Sequence, residues 1–119
     1  MSSFDADTLG ALRDLREVGL RTDKHPQSAV VIWLVVADDG VFVRSFRGAK
    51  GRWYKDLAGG GPATLEFGGR RLAVQAVPAD ATAIEHASRE YLRKYGPGPY
   101  ATAMVQPETL PTTLRLEPR

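Results

Sequence analysis

Between Arg44 and Lys55 the chain reads RSFRGAKGRWYK, with five basic side chains and no acid. Residues of these types bind anions. Arginine grips phosphate through paired N–H donors, a serine adds a hydroxyl, and glycines let backbone N–H groups approach the oxygens. Arg44, Ser45, Arg47 and Lys50 are therefore the expected phosphate-holding set, and the start of the helix that follows would add a favourable dipole. Trp53, at that helix start, is expected to border the ligand. Further along, Tyr95 and Tyr100 flank the glycine-proline stretch Gly96-Pro97-Gly98-Pro99. Their hydroxyls are placed to orient a substrate at a pocket mouth.

Other chemistries find little support. The chain has no cysteine, so thiolate catalysis, disulfides and iron–sulfur ligation are excluded. His25 and His86 are isolated from other ligand-type residues and read as structural or solvent-facing, with no metal expected. Ser45 has no histidine nearby in sequence to serve as its base. Gly48-x-x-Gly51 and Gly59-Gly60-Gly61 lack the Lys-Ser/Thr ending of a nucleotide loop and read as turns. Trp33 and Tyr91 read as core and helix packing.

Several elements must position these residues. Leu9, Leu12 and Leu15 mark a helix from about Asp5 to Val18, with Asp5 as N-cap and Gly19 as its stop. Leu20 to Asp23 forms a short segment, and Lys24 to Ser28 is a loop. Val30 to Val36 is apolar throughout and is expected to be a central strand covered on both faces. Asp38-Asp39-Gly40 then turns the chain into a partner strand, Val41 to Phe46. Gly51 to Leu57 is a short helix. A second hairpin pairs Ala63 to Phe67 with Arg70 to Val77 through Gly68-Gly69. Asp80 caps a helix to Tyr95, on which Glu85 can pair with Arg89 and Glu90 with Lys94. The closing strand is Thr112 to Leu116.

These elements predict a mainly β, α+β fold, an antiparallel barrel of about six strands with flanking helices, in one domain over residues 1–119. The chain has 119 residues, 43% of them hydrophobic, enough for one core without staples. Its net charge of +2 is weak for a nucleic-acid partner. The acidic N-terminal segment lacks a signal-peptide pattern, and the apolar run Ala29 to Ala37 is too short to span a bilayer, so a cytoplasmic protein without a membrane partner is expected.

The element order and residues Val30 to Trp53 resemble the FMN-binding split β-barrel superfamily, which includes the pyridoxamine-phosphate oxidases and deazaflavin-dependent reductases. More narrowly, VFVRSFRGAKGRWYKDL, EYLRKYG and TTLRLEPR resemble a small, largely uncharacterised bacterial family within it. The resemblance implies a split barrel whose first long strand backs a flavin ring. It also implies that Arg44, Ser45, Arg47 and Lys50 hold the cofactor phosphate, in a homodimer with the cofactor across the interface. The deazaflavin branch carries a glycine- and basic-rich loop between its first two strands. Thr22 to Gln27 here has Lys24 alone as its basic residue besides the imidazole of His25, which favours FMN over a deazaflavin. The expected function is hydride transfer between that cofactor and a small organic acceptor. The alternatives are a non-catalytic barrel that carries a flavin or haem, and a nucleic-acid-binding barrel.

Overall fold

The computed structural model describes residues 3–119. Its strands are β1 (Val18–Thr22), β2 (Val30–Ile32), β3 (Leu34–Ala37), β4 (Gly40–Val43), β5 (Gly61–Phe67), β6 (Arg70–Pro78) and β7 (Leu114–Pro118). Its helices are α1 (Ala6–Asp14), α2 (Arg52–Leu57), α3 (Ala81–Tyr95) and α4 (Pro99–Ala103), with short 3-10 turns over Gly48–Lys50 and Leu110–Thr112. The strands form a single sheet in the order β2-β1-β5-β6-β7-β4-β3, with antiparallel pairing at every step. The sheet is a nearly closed barrel, as expected, with seven strands rather than six.

The extra strand arises at Trp33. The apolar run Val30 to Val36 is not one central strand: its halves, β2 and β3, lie at opposite edges of the sheet with Trp33 alone between them. Reading the run as central equated double burial with two strand neighbours. In β3, a helix supplies the second cover. Leu34 and Val36 point into the barrel with Val41, Val43, Leu65 and Leu114. Val35 and Ala37 point outward with Phe42 and pack against Ala87, Tyr91 and Tyr95 of α3. Period-two alternation thus divides the hairpin between two cores. β2 has no such cover, and Val31 is 65% exposed.

Further boundaries differ, among them that of β4, which ends at Val43 instead of Phe46. α1 ends at Asp14, because Leu15 takes extended dihedrals and the alternating burial of Val18, Leu20 and Thr22 commits that segment to β1. Gly19 consequently lies within a strand, close against Ala29 and Glu66, rather than capping a helix. The closing strand begins at Leu114, since Thr112 belongs to a 3-10 turn, where its hydroxyl donates to Thr109 O at 2.6 Å. The Gly/Pro-rich stretch also contains α4, which has Pro99 in its first turn. The caps behave as read: Asp5 accepts from Thr8 N at 2.7 Å and Asp80 from Ala83 N at 2.8 Å. Among the described residues, no helix is long and apolar enough to cross a membrane.

On α3, Glu85 pairs with Arg89 at 3.6 Å, but Glu90 pairs with Arg93 instead of Lys94. Lys94 turns inward, donating to Leu34 O at 2.7 Å and Leu12 O at 3.3 Å, and so ties α3 to β3 and α1. Burial, reinforced by Arg16, pulls its ammonium pKa down to about 8. A lysine whose folded pKa lies below its unfolded value disfavours folding most where both states are charged, and stability recovers as the folded state deprotonates first. Urea unfolding at pH 8 and pH 10 is therefore expected to show wild type gaining stability on Lys94→Met across this interval. Parallel changes in the two proteins would remove Lys94 as the cause.

Candidate functional site

β4 ends at Val43, and the chain beyond it bends across one side of the barrel. A cavity of about 500 Å³ opens there. One wall is β2 with Trp33, another is Arg44 to Arg47, and the rest comes from Gly51 to Trp53, from Tyr100 and Met104 around α4, and from Glu17. The volume lies within the range typical of small-molecule and cofactor sites, and the aromatic and aliphatic lining with a few charged groups is typical as well.

Local hydrogen bonds shape this segment. Gly48 N donates to Ser45 O at 3.0 Å and Gly51 N to Gly48 O at 3.2 Å, closing two consecutive turns. Ser45 N donates to Thr112 Oγ1 at 3.0 Å, which pins the segment to the C-terminal 3-10 turn. The glycines act by space rather than by presenting amides to an anion. Gly48 has φ +63 and packs its backbone against Glu108, while a Cβ at Gly51 would collide with the Ser45 hydroxyl. α2 has only six residues, so its dipole contributes little beside the charge of Arg52 at its start.

The expected site residues divide into two groups. Ser45, Arg47, Trp53 and Tyr100 line the cavity, and Lys50 and Tyr95 do not. Arg44 is also at the cavity and, like Ser45, is 1% exposed, but its guanidinium is engaged inside the protein. Its Nε donates to Thr113 Oγ1 at 2.7 Å, one terminal nitrogen to Met104 O at 2.9 Å, and the other to Ile84 O at 2.8 Å. The guanidinium also lies 5.2 Å from the centroid of the Tyr91 ring. Burial lowers the Arg44 pKa, and the neighbouring Tyr91 offsets this only in part. Tyr95 is buried beneath Trp33: its hydroxyl accepts from Leu34 N at 3.2 Å and donates to Arg16 O at 2.6 Å.

Arg47 and Arg52 are exposed on the cavity lining and form no ion pair among the described residues. The ion pairs lie elsewhere, for example Arg21 with Glu66 at 2.6 Å and Arg115 with Asp39 at 3.7 Å. Both histidines face carboxylates away from the cavity. His25 Nδ1 is 2.6 Å from Asp56, and His86 Nδ1 is 3.3 Å from Asp38. Burial alone would raise the Asp56 carboxyl, but hydrogen bonds from Thr22 and His25 outweigh it and hold the pKa below the usual range.

Sequence reading did not assign Glu17, Val31, Phe46, Arg52 or Met104 to the site. Arg52 and Phe46 were visible within the basic run. Glu17, Val31 and Met104 arrive from distant segments, and nothing local marks them.

The description "Uncharacterized protein conserved in bacteria (DUF2255)" belongs to a family whose pattern matches residues 5–116. No functionally curated protein matches the chain. Among solved structures, the fold is similar to that of a "putative general stress protein 26" from Jannaschia sp. CCS1, with a TM-score of 0.65 and 17% sequence identity over 96% of this chain and 75% of that one. At that identity the likeness is one of fold.

The two classes of arginine predict opposite mutational outcomes. Arg44→Met leaves three acceptors without their charged donor and should cost about 3 kcal/mol, after allowing for relief of the buried charge. Arg47→Ala, at an exposed position, should change stability by less than about 0.5 kcal/mol. Urea melts of both variants test this division, and equal losses would refute it.

Proposed function

This chain belongs to the bacterial family DUF2255, and from that premise we propose that it is a split-barrel protein that binds FMN, or a deazaflavin, and transfers hydride between it and a small organic acceptor. The observation that carries this reading is the cavity. It is a recess of about 500 Å³ walled by Trp33, Phe46, Trp53 and Tyr100, with Arg47 and Arg52 on its lining and in no ion pair among the described residues. A flat heterocycle with a phosphate tail needs an apolar wall for the ring and a cationic edge for the phosphate, and these residues fit both requirements.

In this reading Arg47 and Arg52 hold the phosphate, joined by the Ser45 hydroxyl that Gly51 leaves room for. Trp53, Phe46 and Met104 exclude water from the ring, and Tyr100 borders the acceptor. Arg44 acts indirectly by holding the wall in place. Once bound, the cofactor supplies a ring that takes up and gives back hydride, so the protein's tasks are binding, orientation and exclusion of water. Neither histidine lines the cavity, which argues against haem as its occupant. Glu17 is the acidic residue of the lining. So sparse an acid–base set also suits a carrier without turnover, and reduction of an acceptor by the loaded protein separates the two readings.

The assembly proposed with this function is a homodimer. Val31, Phe46 and Tyr100 are 65%, 54% and 66% exposed and all border the cavity, so a second copy seated there would cover them and close the mouth. Light scattering should give about twice 13.0 kDa for wild type and a monomer for Phe46→Glu. A monomeric wild type would remove this part of the reading.

The cofactor assignment is tested by titrating FMN, and separately a deazaflavin, into wild type and Arg47→Ala. Loss of one hydrogen bond to a charged group, about 1.5–3 kcal/mol, corresponds to roughly ten- to hundredfold weaker binding. No binding to wild type, or equal binding to both proteins, would overturn the assignment.

A further inference from the structure

Trp33 occupies an unusual position. It is the single residue between two edge strands, and it belongs to neither the β1–β2 nor the β3–β4 ladder. Its indole lies flat against the Tyr95 ring, with centroids 3.9 Å apart and planes inclined by 3°. Tyr95 is itself fixed through its hydroxyl, by Leu34 N at 3.2 Å and Arg16 O at 2.6 Å. Arg16 also places its guanidinium 5.1 Å from the Tyr95 centroid. One face of the indole is thus taken by a rigid backing, while the side chain remains half-buried and borders the cavity.

We propose that the other face of Trp33 is the stacking platform for the planar ring of the ligand, and that Tyr95 is the positioning residue that holds this platform in place. The inference rests on the flavin-binding reading above and adds to it a residue that the basic segment does not contain. It also gives Tyr95 a role without contact to the ligand. A core tryptophan needs no flat partner held by hydrogen bonds to two separate segments, whereas a stacking surface must be held at fixed tilt to match a rigid ring. The phosphate-holding and ring-holding parts then lie on different segments, Arg47 and Arg52 after β4 and Trp33 after β2. Their contributions to binding should be separable.

Separability provides the test. FMN and riboflavin share the ring and differ in the phosphate, so each is titrated into wild type, Trp33→Leu, Trp33→Phe, Tyr95→Phe and Arg47→Ala. Trp33→Leu should raise Kd for both ligands alike, by about tenfold, as expected for loss of an aromatic stacking partner. Trp33→Phe should raise both by about threefold. Tyr95→Phe should weaken both ligands equally while leaving the ratio of their affinities at the wild-type value. Arg47→Ala should weaken FMN and leave riboflavin nearly unchanged. If wild type binds FMN and Trp33→Leu binds it equally well, the platform is refuted while the cofactor reading stands. If Trp33→Leu fails to fold, an unchanged Kd in Trp33→Phe refutes the platform in the same way. If wild type binds neither ligand, both proposals fall.

Discussion

The two edges of this sheet are joined through one residue. β2 and β3 lie at opposite ends of the strand order with only Trp33 between them, so the chain itself closes the barrel where hydrogen bonding does not. A sheet edge normally leaves a row of unpaired amides and carbonyls. Here Leu34, the first residue past the break, is held by the Tyr95 hydroxyl and the Lys94 ammonium. α3 therefore does more than cover apolar surface: its last turn supplies polar contacts at the point where the ladder stops. The cavity opens beside the same break, and incomplete closure is what leaves room for it.

A second constraint fixes the opposite wall. Arg44 carries a charge into a site that is 1% exposed and finds three neutral acceptors, on α3, at the end of α4 and just before β7. Those acceptors lie 40, 60 and 69 residues away in sequence. Such a bolt orders segments whose own propensities are weak, above all the Gly/Pro-rich stretch that holds α4. Burying an arginine without a carboxylate is costly in free energy, and the cost is met here by hydrogen bonds and the Tyr91 ring face. The Tyr91 hydroxyl is buried with no hydrogen-bond partner among the described residues, and burial raises its pKa strongly.

Carboxylates pair with Arg21, Arg89, Arg93 and Arg115 around the barrel, whereas Arg47 and Arg52 at the cavity, like Lys50 and Lys55 of the same segment, form no ion pair among the described residues. Exposed aromatics gather at the same place: Phe46 and Tyr100 have ring centroids 6.3 Å apart. Free cationic groups beside an uncovered apolar rim are a natural receiver for an anion attached to a flat ring.

Local sequence determined the parts of this protein that depend on near neighbours. The caps at Asp5 and Asp80, the turns at Asp38-Asp39-Gly40 and Gly68-Gly69, and the amphipathic α3 were legible because each is settled within a few residues. So was the basic segment after β4, and with it the places of Ser45, Arg47 and Trp53 at the cavity. Tertiary structure decided which basic residues are free. Arg44 and Arg47 are alike as side chains, but one meets two carbonyls and a hydroxyl from three distant segments and the other lies exposed on the cavity lining. It also decided that Val30 to Val36 divides at Trp33, because an unbroken apolar run carries no mark of the position at which its strand neighbours change. The helix-like spacing of the leucines in α1 gave way to β1 for a similar reason: the pairing of Gly19 to Thr22 with Ala63 to Glu66 draws on partners more than forty residues away. What separates the two sets is the distance in sequence over which the deciding contacts form.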